Sequence, residues 1–254
     1  MVEFVYKNYP GKNFINEIKI AKQLDFNCIE FEFKQSLDTI NVKSISQELY
    51  ENNLSCILHV DYMLTNIVNY KSITKSNLKE ILKYFDLAKK FRCKKIGIHL
   101  DSLNSSNKFY YQRGIEMLYA LSDYSRKKGI ILMGENGWRS NIDFLKKIKQ
   151  DVPGLKFLMD IGHLNLLQES NPFDNYIETF KDIIEHIHIH DNRGSREFDL
   201  HLPIGTGNID WKHVLKLLRG INYNKTITLE FHPSDIFYLT YSRDFLYRMY
   251  PNCA

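Results

Sequence analysis

Six apolar runs in this chain end in a carboxylate or an imidazole. SCILH closes on His59, KKIGIH on His99, ILMGE on Glu135, KFLMD on Asp160 with His163 just beyond, IEHIH on His188 and TITLE on Glu230. Runs of this kind read as strands of a parallel sheet, buried on both faces, where a charged end is costly unless it meets a cation or hydrogen-bond donors. A histidine at one strand end is more often a hydrogen-bonded packing residue than a ligand, so the weight lies in the coincidence across six strands. No lysine or arginine is read at an equivalent strand end. Three carboxylates and several imidazoles without a cationic side chain therefore call for a bound divalent cation. A cation held this way polarises a carbonyl or phosphoryl oxygen, and carboxylates beside it move protons.

Residues so far apart meet only if the fold delivers every strand end to one place. Short β-branched or aromatic runs alternate with stretches of helical period. The runs are Glu3 to Tyr6, Cys28 to Phe33, Ser55 to His59, Lys95 to His99, Ile130 to Gly134, Leu155 to Met159, Ile184 to His188 and Thr226 to Glu230. Between the third and fourth, Leu78, Ile81, Leu82, Phe85 and Ala88 form one helical stripe. Asp210 can cap a helix with the apolar face Trp211, Val214, Leu215 and Leu218, ended by Gly220. Phe14, Ile18, Ala21 and Leu24 repeat the pattern, and the helix after the fifth strand is the least marked. Eight units with no composition break predict a single α/β domain over 1–254, a (β/α)8 TIM barrel, whose strand ends converge on one mouth. No GxGxxG follows the first strand, which weighs against a dinucleotide-binding sheet.

The segments HVDYMLTN, GEN, MDIGH, HIHIHDNRG, DLHLPIGTGNIDW and LEFH together resemble the superfamily of xylose isomerase-like TIM barrels. That superfamily includes sugar and sugar-phosphate isomerases and epimerases and the endonuclease IV-type apurinic/apyrimidinic (AP) endonucleases, and the resemblance spans nearly the whole chain. It implies a metal site on Glu135, Asp160, His188 and Glu230. In the endonuclease branch, which binds three zinc ions, additional ligands would fall on His59, His99, His163, Asp199 and His201. His186, His188 and His190 share one strand face. The family's histidine three residues before Asp191 selects His188, which leaves His186 and His190 as hydrogen-bonding or packing residues.

The resemblance admits two chemistries. In isomerisation or epimerisation, Glu135 and Glu230 form the acid–base pair that moves a proton next to a carbonyl through a metal-stabilised enediolate. His163 then binds a substrate oxygen and Arg193 a hydroxyl or phosphate. Manganese, cobalt or magnesium suits that oxygen-rich set. In hydrolysis of a DNA phosphodiester at an abasic site, a trinuclear zinc cluster uses the wider imidazole set. Asp199 and His201 would grip one ion from an extended loop, Tyr62 and Met63 would wedge the duplex, and Lys34, Arg139 and Arg196 would meet phosphates. Departures order the two. GWRSN follows Glu135-Asn136 where the endonucleases are small and glycine-rich, and Ile161-Gly162 stands where they tend to have Thr-Cys. HLPIGTGNIDW looks more like the sugar enzymes, although Thr206 replaces a common acidic residue. The sugar reading is favoured. A dehydratase or lyase using the same enolisation ranks lower, as does a non-catalytic sensor or scaffold, which would not need both Glu135 and Glu230.

Composition fits this picture. The net charge of +4 is spread along the chain, with no basic patch of the kind that tracks DNA. Cys28, Cys56, Cys93 and Cys253 form no CxxC pair, so they read as packing residues in a reducing compartment. Neither a secretory leader nor a membrane span is apparent, and the expectation is a cytoplasmic protein acting on a small sugar, with no membrane partner and the pairing into homo-oligomers common among such barrels.

Overall fold

The computed structural model describes residues 2–9, 11–65, 71–103, 107–138, 140–167, 169–195, 198–231 and 236–249. Eight parallel strands, β1 (Glu3–Lys7), β2 (Cys28–Glu32), β3 (Ser55–His59), β4 (Lys95–His99), β5 (Ile131–Glu135), β6 (Lys156–Asp160), β7 (Ile184–Ile189) and β8 (Thr226–Leu229), pair in chain order. Pairing of β8 with β1 closes the barrel. Around it lie α1 (Phe14–Gln23), α2 (Val42–Glu51), α3 (Tyr62–Thr65), α4 (Lys71–Phe91) and α5 (Lys108–Lys128). α6 (Ile142–Asp151), α7 (Ile161–Leu166), α8 (Pro172–Phe180), α9 (Trp211–Gly220) and α10 (Phe237–Met249) follow. The (β/α)8 barrel expected from the sequence is therefore the fold.

Local chemistry explains the element ends. Asn13, Asn141 and Asp210 accept backbone N–H groups at the starts of α1, α6 and α9. Gly129 ends α5 at φ +66°, a left-handed conformation that costs glycine little. Even the weakly marked α6 forms, burying Leu145 and Ile148. Among the described residues, no helix is long and apolar enough to cross a membrane.

Outward strand residues such as Phe31, Ile98 and Ile187 pack under the helices in the main core. Each large apolar side chain buried there contributes roughly 1.5–3 kcal/mol relative to leaving it in water. Inside the barrel, Val5, Cys28, Ile57, Met133 and Leu158 form a separate apolar cluster. The rest of the interior is polar. Glu30, His186, Thr226 and Thr228 are buried there, which a barrel filled by aliphatic layers would not have. Cys28, Cys56 and Cys93 are buried and free, as expected, while Cys253 lies outside the described residues.

Candidate metal centre

Strand register builds the site. Glu32 lies beside His59, His99 beside Glu135, and Asp160 beside His188. The last pairing depends on an irregularity between Phe157 and Leu158, where β7 supplies one more residue than β6. Side chains two apart on a strand share a face, so His186 and His188 both point inward. Ligand atoms of Glu135, Asp160, His188 and Glu230 all lie within 4.8 Å of one another, and all four residues are buried.

The hydrogen bonding around these residues leaves a gap of a particular kind. Glu135 Oε1 and Oε2, Asp160 Oδ2, His188 Nδ1, Glu230 Oε2 and His59 Nε2 are buried with no hydrogen-bond partner. His188 Nδ1 is 2.6 Å from Glu230 Oε2, and His59 Nε2 is 2.9 Å from Glu135 Oε2. These contacts are close enough for ion pairs but are not aligned as hydrogen bonds. Buried polar atoms left in this state are expensive unless a cation takes them. The remaining atoms of the same residues are occupied. Asp160 Oδ1 caps α7 by accepting His163 N at 2.8 Å, and the Asn136 amide clamps the Asp160 backbone through bonds of 2.8 and 3.0 Å. Five carboxylates, Glu30, Glu32, Glu135, Asp160 and Glu230, are buried in this region, and three of them present free oxygens to one point. The donor set fits a divalent cation held by Glu135, Asp160, His188 and Glu230.

The electrostatics agree. Burial alone would push the Glu135 carboxyl up, but the charges of His99 and His59 and the close approach of the His188 and His59 rings hold it well below the usual carboxylate range. Glu230 is likewise held down, against burial, by His188 and Lys7. His188 and His163 are raised well above an ordinary histidine despite burial, His188 chiefly by Glu230 and Glu30, His163 chiefly by Asp160 and Asp199. His59 rises to about 9 because Glu135 outweighs its burial, whereas burial lowers its stacked neighbour His99 to about 4. A cation entering this cluster would displace protons from the imidazoles it binds.

One expectation is corrected here. The absence of a lysine from the strand ends does not hold, because β1 runs one residue beyond Tyr6 and ends on Lys7. Lys7 is buried, forms an ion pair with Glu230, and lies 3.6 Å from Glu32. Strand two also ends on a carboxylate, so all eight strands bring an ionisable group to the mouth or next to it. The signal was present in CIEFE, where Glu30 and Glu32 stand two apart on the inward face of a strand read only for its apolar residues. Lys7 takes one oxygen of Glu230, but Glu230 Oε2, both oxygens of Glu135 and Asp160 Oδ2 are still without a hydrogen bond and could hold a further cation.

The other expected residues form a second group beside the first. His163, His190, Asp199 and His201 present ligand atoms within 4.8 Å of one another. His163 Nε2 and His201 Nε2 are 3.0 and 2.8 Å from Asp199 Oδ2. His190, expected only to pack, stacks on His201 at 3.9 Å between centroids, and neither of its ring nitrogens has a hydrogen-bond partner. The loop carrying Asp199 and His201 is not simply extended. His201 has φ +44°, a strained conformation for a side-chain-bearing residue, and its Nδ1 lies 2.7 Å from the Glu230 carbonyl oxygen. His99 Nδ1 is 3.2 Å from Glu135 Oε2. Arg193 is exposed, and among the described residues no hydrogen bond or ion pair ties its guanidinium to either group. Asp191, the family landmark, is a loop organiser that accepts Gly205 N at 2.9 Å and Trp211 Nε1 at 3.0 Å. Arg139, Arg196 and His232 lie outside the described residues.

Residues 18–248 match the family described as xylose isomerase-like TIM barrel. The chain belongs to that family. An uncharacterized protein of Methanocaldococcus jannaschii is 30% identical over 187 residues, 70% of this chain and 71% of that one. Among solved structures, this xylose isomerase-like barrel is similar to a D-tagatose 3-epimerase-like protein, at TM-score 0.81 and 22% identity over 97% and 96% of the two chains. It is also similar to a D-psicose 3-epimerase solved in the presence of D-fructose, at 0.76 and 17% over 98% and 99%. At these identities the likeness is one of fold.

Proposed function

We propose that this barrel is a divalent-metal-dependent sugar or sugar-phosphate isomerase or epimerase that moves a proton next to a carbonyl. The observation that carries the reading is the pair Glu135 and Glu230, on different strands, each with a free buried oxygen facing the point that Asp160 Oδ2 and His188 Nδ1 also face. A divalent cation held there supplies Lewis-acid polarisation of a carbonyl and the hydroxyl beside it. Glu135 and Glu230, kept ionised by their surroundings, accept and return the proton from two directions. Lys7 holds Glu230 Oε1 and leaves Oε2 as its working oxygen. His163 Nδ1 faces the Asn136 carbonyl oxygen and Nε2 faces Asp199, so it would reach a substrate oxygen by releasing Asp199. The exposed Arg193 would meet a distal hydroxyl or phosphate. The epimerases among its structural relatives support the substrate class.

The second reading, a zinc-dependent AP endonuclease, is favoured by the second donor group and by exposed Tyr62 and Met63 beyond β3. Two observations rank it lower. Lys34 is already engaged by Glu32 and Asp61 rather than free for phosphate. A Cβ at Gly162 would stand 2.1 Å from His190 Cε1, so the cysteine usual there in the endonucleases cannot coexist with this ring position.

Metal analysis of protein purified without added ions separates the readings. About one manganese or cobalt per chain supports the isomerase, and close to three zincs the endonuclease. Solvent deuterium entering the carbon beside a sugar carbonyl is the expected activity. Incision of an abasic duplex, lost in Glu135→Gln, would reverse the order.

A further inference from the structure

Beneath the centre lies a carboxylate that the proposed chemistry does not use. Glu30, fully buried on β2, has four partners. His59 Nδ1 is 3.0 Å from its Oε1, His188 Nε2 is 2.9 and 3.0 Å from its two oxygens, His186 Nε2 is 3.0 Å from Oε2, and Thr228 Oγ1 donates to Oε2. An ionised carboxylate has about four lone-pair sites, so Glu30 is saturated. No atom of Glu30 or His186 is among the buried atoms left without a partner. His186 Nδ1 is itself 2.7 Å from Thr226 Oγ1. Although Glu30, His186 and His188 are close enough together to resemble a cation site, the atoms such a site would need are already engaged.

We infer that Glu30 is the shared positioning residue of the metal centre, taking the remote ring N–H of both His59 and His188 and so turning the opposite nitrogen of His59 toward Glu135 and that of His188 toward Glu230 and Glu135. The inference rests on the metal-centre reading above and deepens it. In an imidazole the nitrogen that donates to a carboxylate keeps its proton, and the other nitrogen carries the lone pair. His188 Nε2 faces Glu30, leaving Nδ1, with no hydrogen-bond partner, 2.6 Å from Glu230 Oε2 and 3.4 Å from Glu135 Oε1, to face the cation point. His59 is reversed. Its Nδ1 faces Glu30, leaving Nε2 unpartnered and 2.9 Å from Glu135 Oε2. One anion therefore sets two rings from two strands, in opposite senses, and His186 and Thr228 fix the anion from below.

The test uses zinc binding and histidine spectra of the whole protein, with no sugar present. In zinc-loaded protein, 15N-histidine spectra are expected to show a persistent proton on His188 Nε2 and on His59 Nδ1, with zinc on His188 Nδ1. Glu30→Gln is expected to lose both protected protons together and to weaken zinc binding roughly 10- to 100-fold in a chelator competition. Glu185→Gln, distant on the barrel floor, controls for lost stability and should bind zinc within about twofold of wild type. Zinc on His188 Nε2, or Glu30→Gln binding zinc as tightly as wild type, would overturn the inference. If Glu30→Gln does not fold, the wild-type spectra decide alone. A wild-type protein that binds no zinc would overturn the metal-centre reading and this inference with it. Zinc binding with the expected protons, but no proton exchange on any sugar, would overturn only the proposed reaction.

Discussion

Both ends of the barrel interior carry buried charge, and they treat it in opposite ways. At the floor, Glu185 meets Lys95 at 3.1 Å and Lys225 at 2.7 Å, and Lys95 Nζ also donates to Thr226 Oγ1 at 3.1 Å. Among the described residues, no buried side-chain atom there lacks a hydrogen-bond partner. At the mouth, carboxylate and imidazole atoms of Glu135, Asp160, His188 and Glu230 are left without one. Thr226, His186 and Glu30 link the two ends through a continuous polar column. Charges at the floor are satisfied within the chain and serve stability. Those at the mouth are left with free donor atoms that could hold a cation. This asymmetry follows the general division of barrel enzymes between a stabilising lower face and a working upper one.

The contrast can be broken by substitution, and the largest effect belongs to the mouth. Glu135→Gln is expected to lower proton exchange by about 10³-fold, read by deuterium incorporation, because in the proposed reaction it removes both a ligand and an acid–base group. Chelation comes next. With free metal at about 100 times its dissociation constant, binding adds about 2.7 kcal/mol of stability, so removing it should lower Tm by roughly 5–10 °C. Glu185→Gln should keep that metal-dependent increment intact while Glu135→Gln loses most of it.

Glu185→Gln itself should cost about 1–2 kcal/mol, the modest value expected for ion pairs that water partly reaches. Its pH dependence has a definite sign. Burial raises the Glu185 carboxyl, but the hydrogen bond from Lys225 and the charge of Lys95 bring it below its ordinary value of 4.5. A depressed folded pKa gives stability that is complete above that ordinary value and is lost as pH falls through the folded one. The difference in Tm between wild type and variant should therefore shrink below about pH 4.5. The smallest effect is expected from Asn141→Ala, which removes the cap at Phe144 N on the mouth side of the barrel. It should cost about 1 kcal/mol and leave metal affinity unchanged, showing that the donor cluster rather than the whole upper face is specialised.

Much of this was legible in the chain. Eight apolar runs and the helical stripes between them gave the barrel, with strand ends shifted by at most one residue. Strand ends at His59, His99, Glu135, Asp160, His188 and Glu230 gave the mouth. Lys7, Glu30 and Glu32 were not read, because each lies in a segment whose other residues are apolar or aromatic and account for it as an ordinary strand. His190 was read as packing, since spacing along β7 cannot say that its ring would lie against Gly162 and under His201.

By itself the sequence determined the alternation of elements, their caps and the face on which each inward residue stands, because these depend on periods of two and 3.6 residues and on neighbours a few positions away. Only the tertiary structure decided which atoms are spent and which are free. That Asp160 caps a helix with one oxygen and keeps the other, or that Glu30 holds His59 and His188 by opposite nitrogens, depends on strand register and on contacts across as many as 158 positions of chain. No local pattern encodes such distances, because they are set by the closure of the sheet.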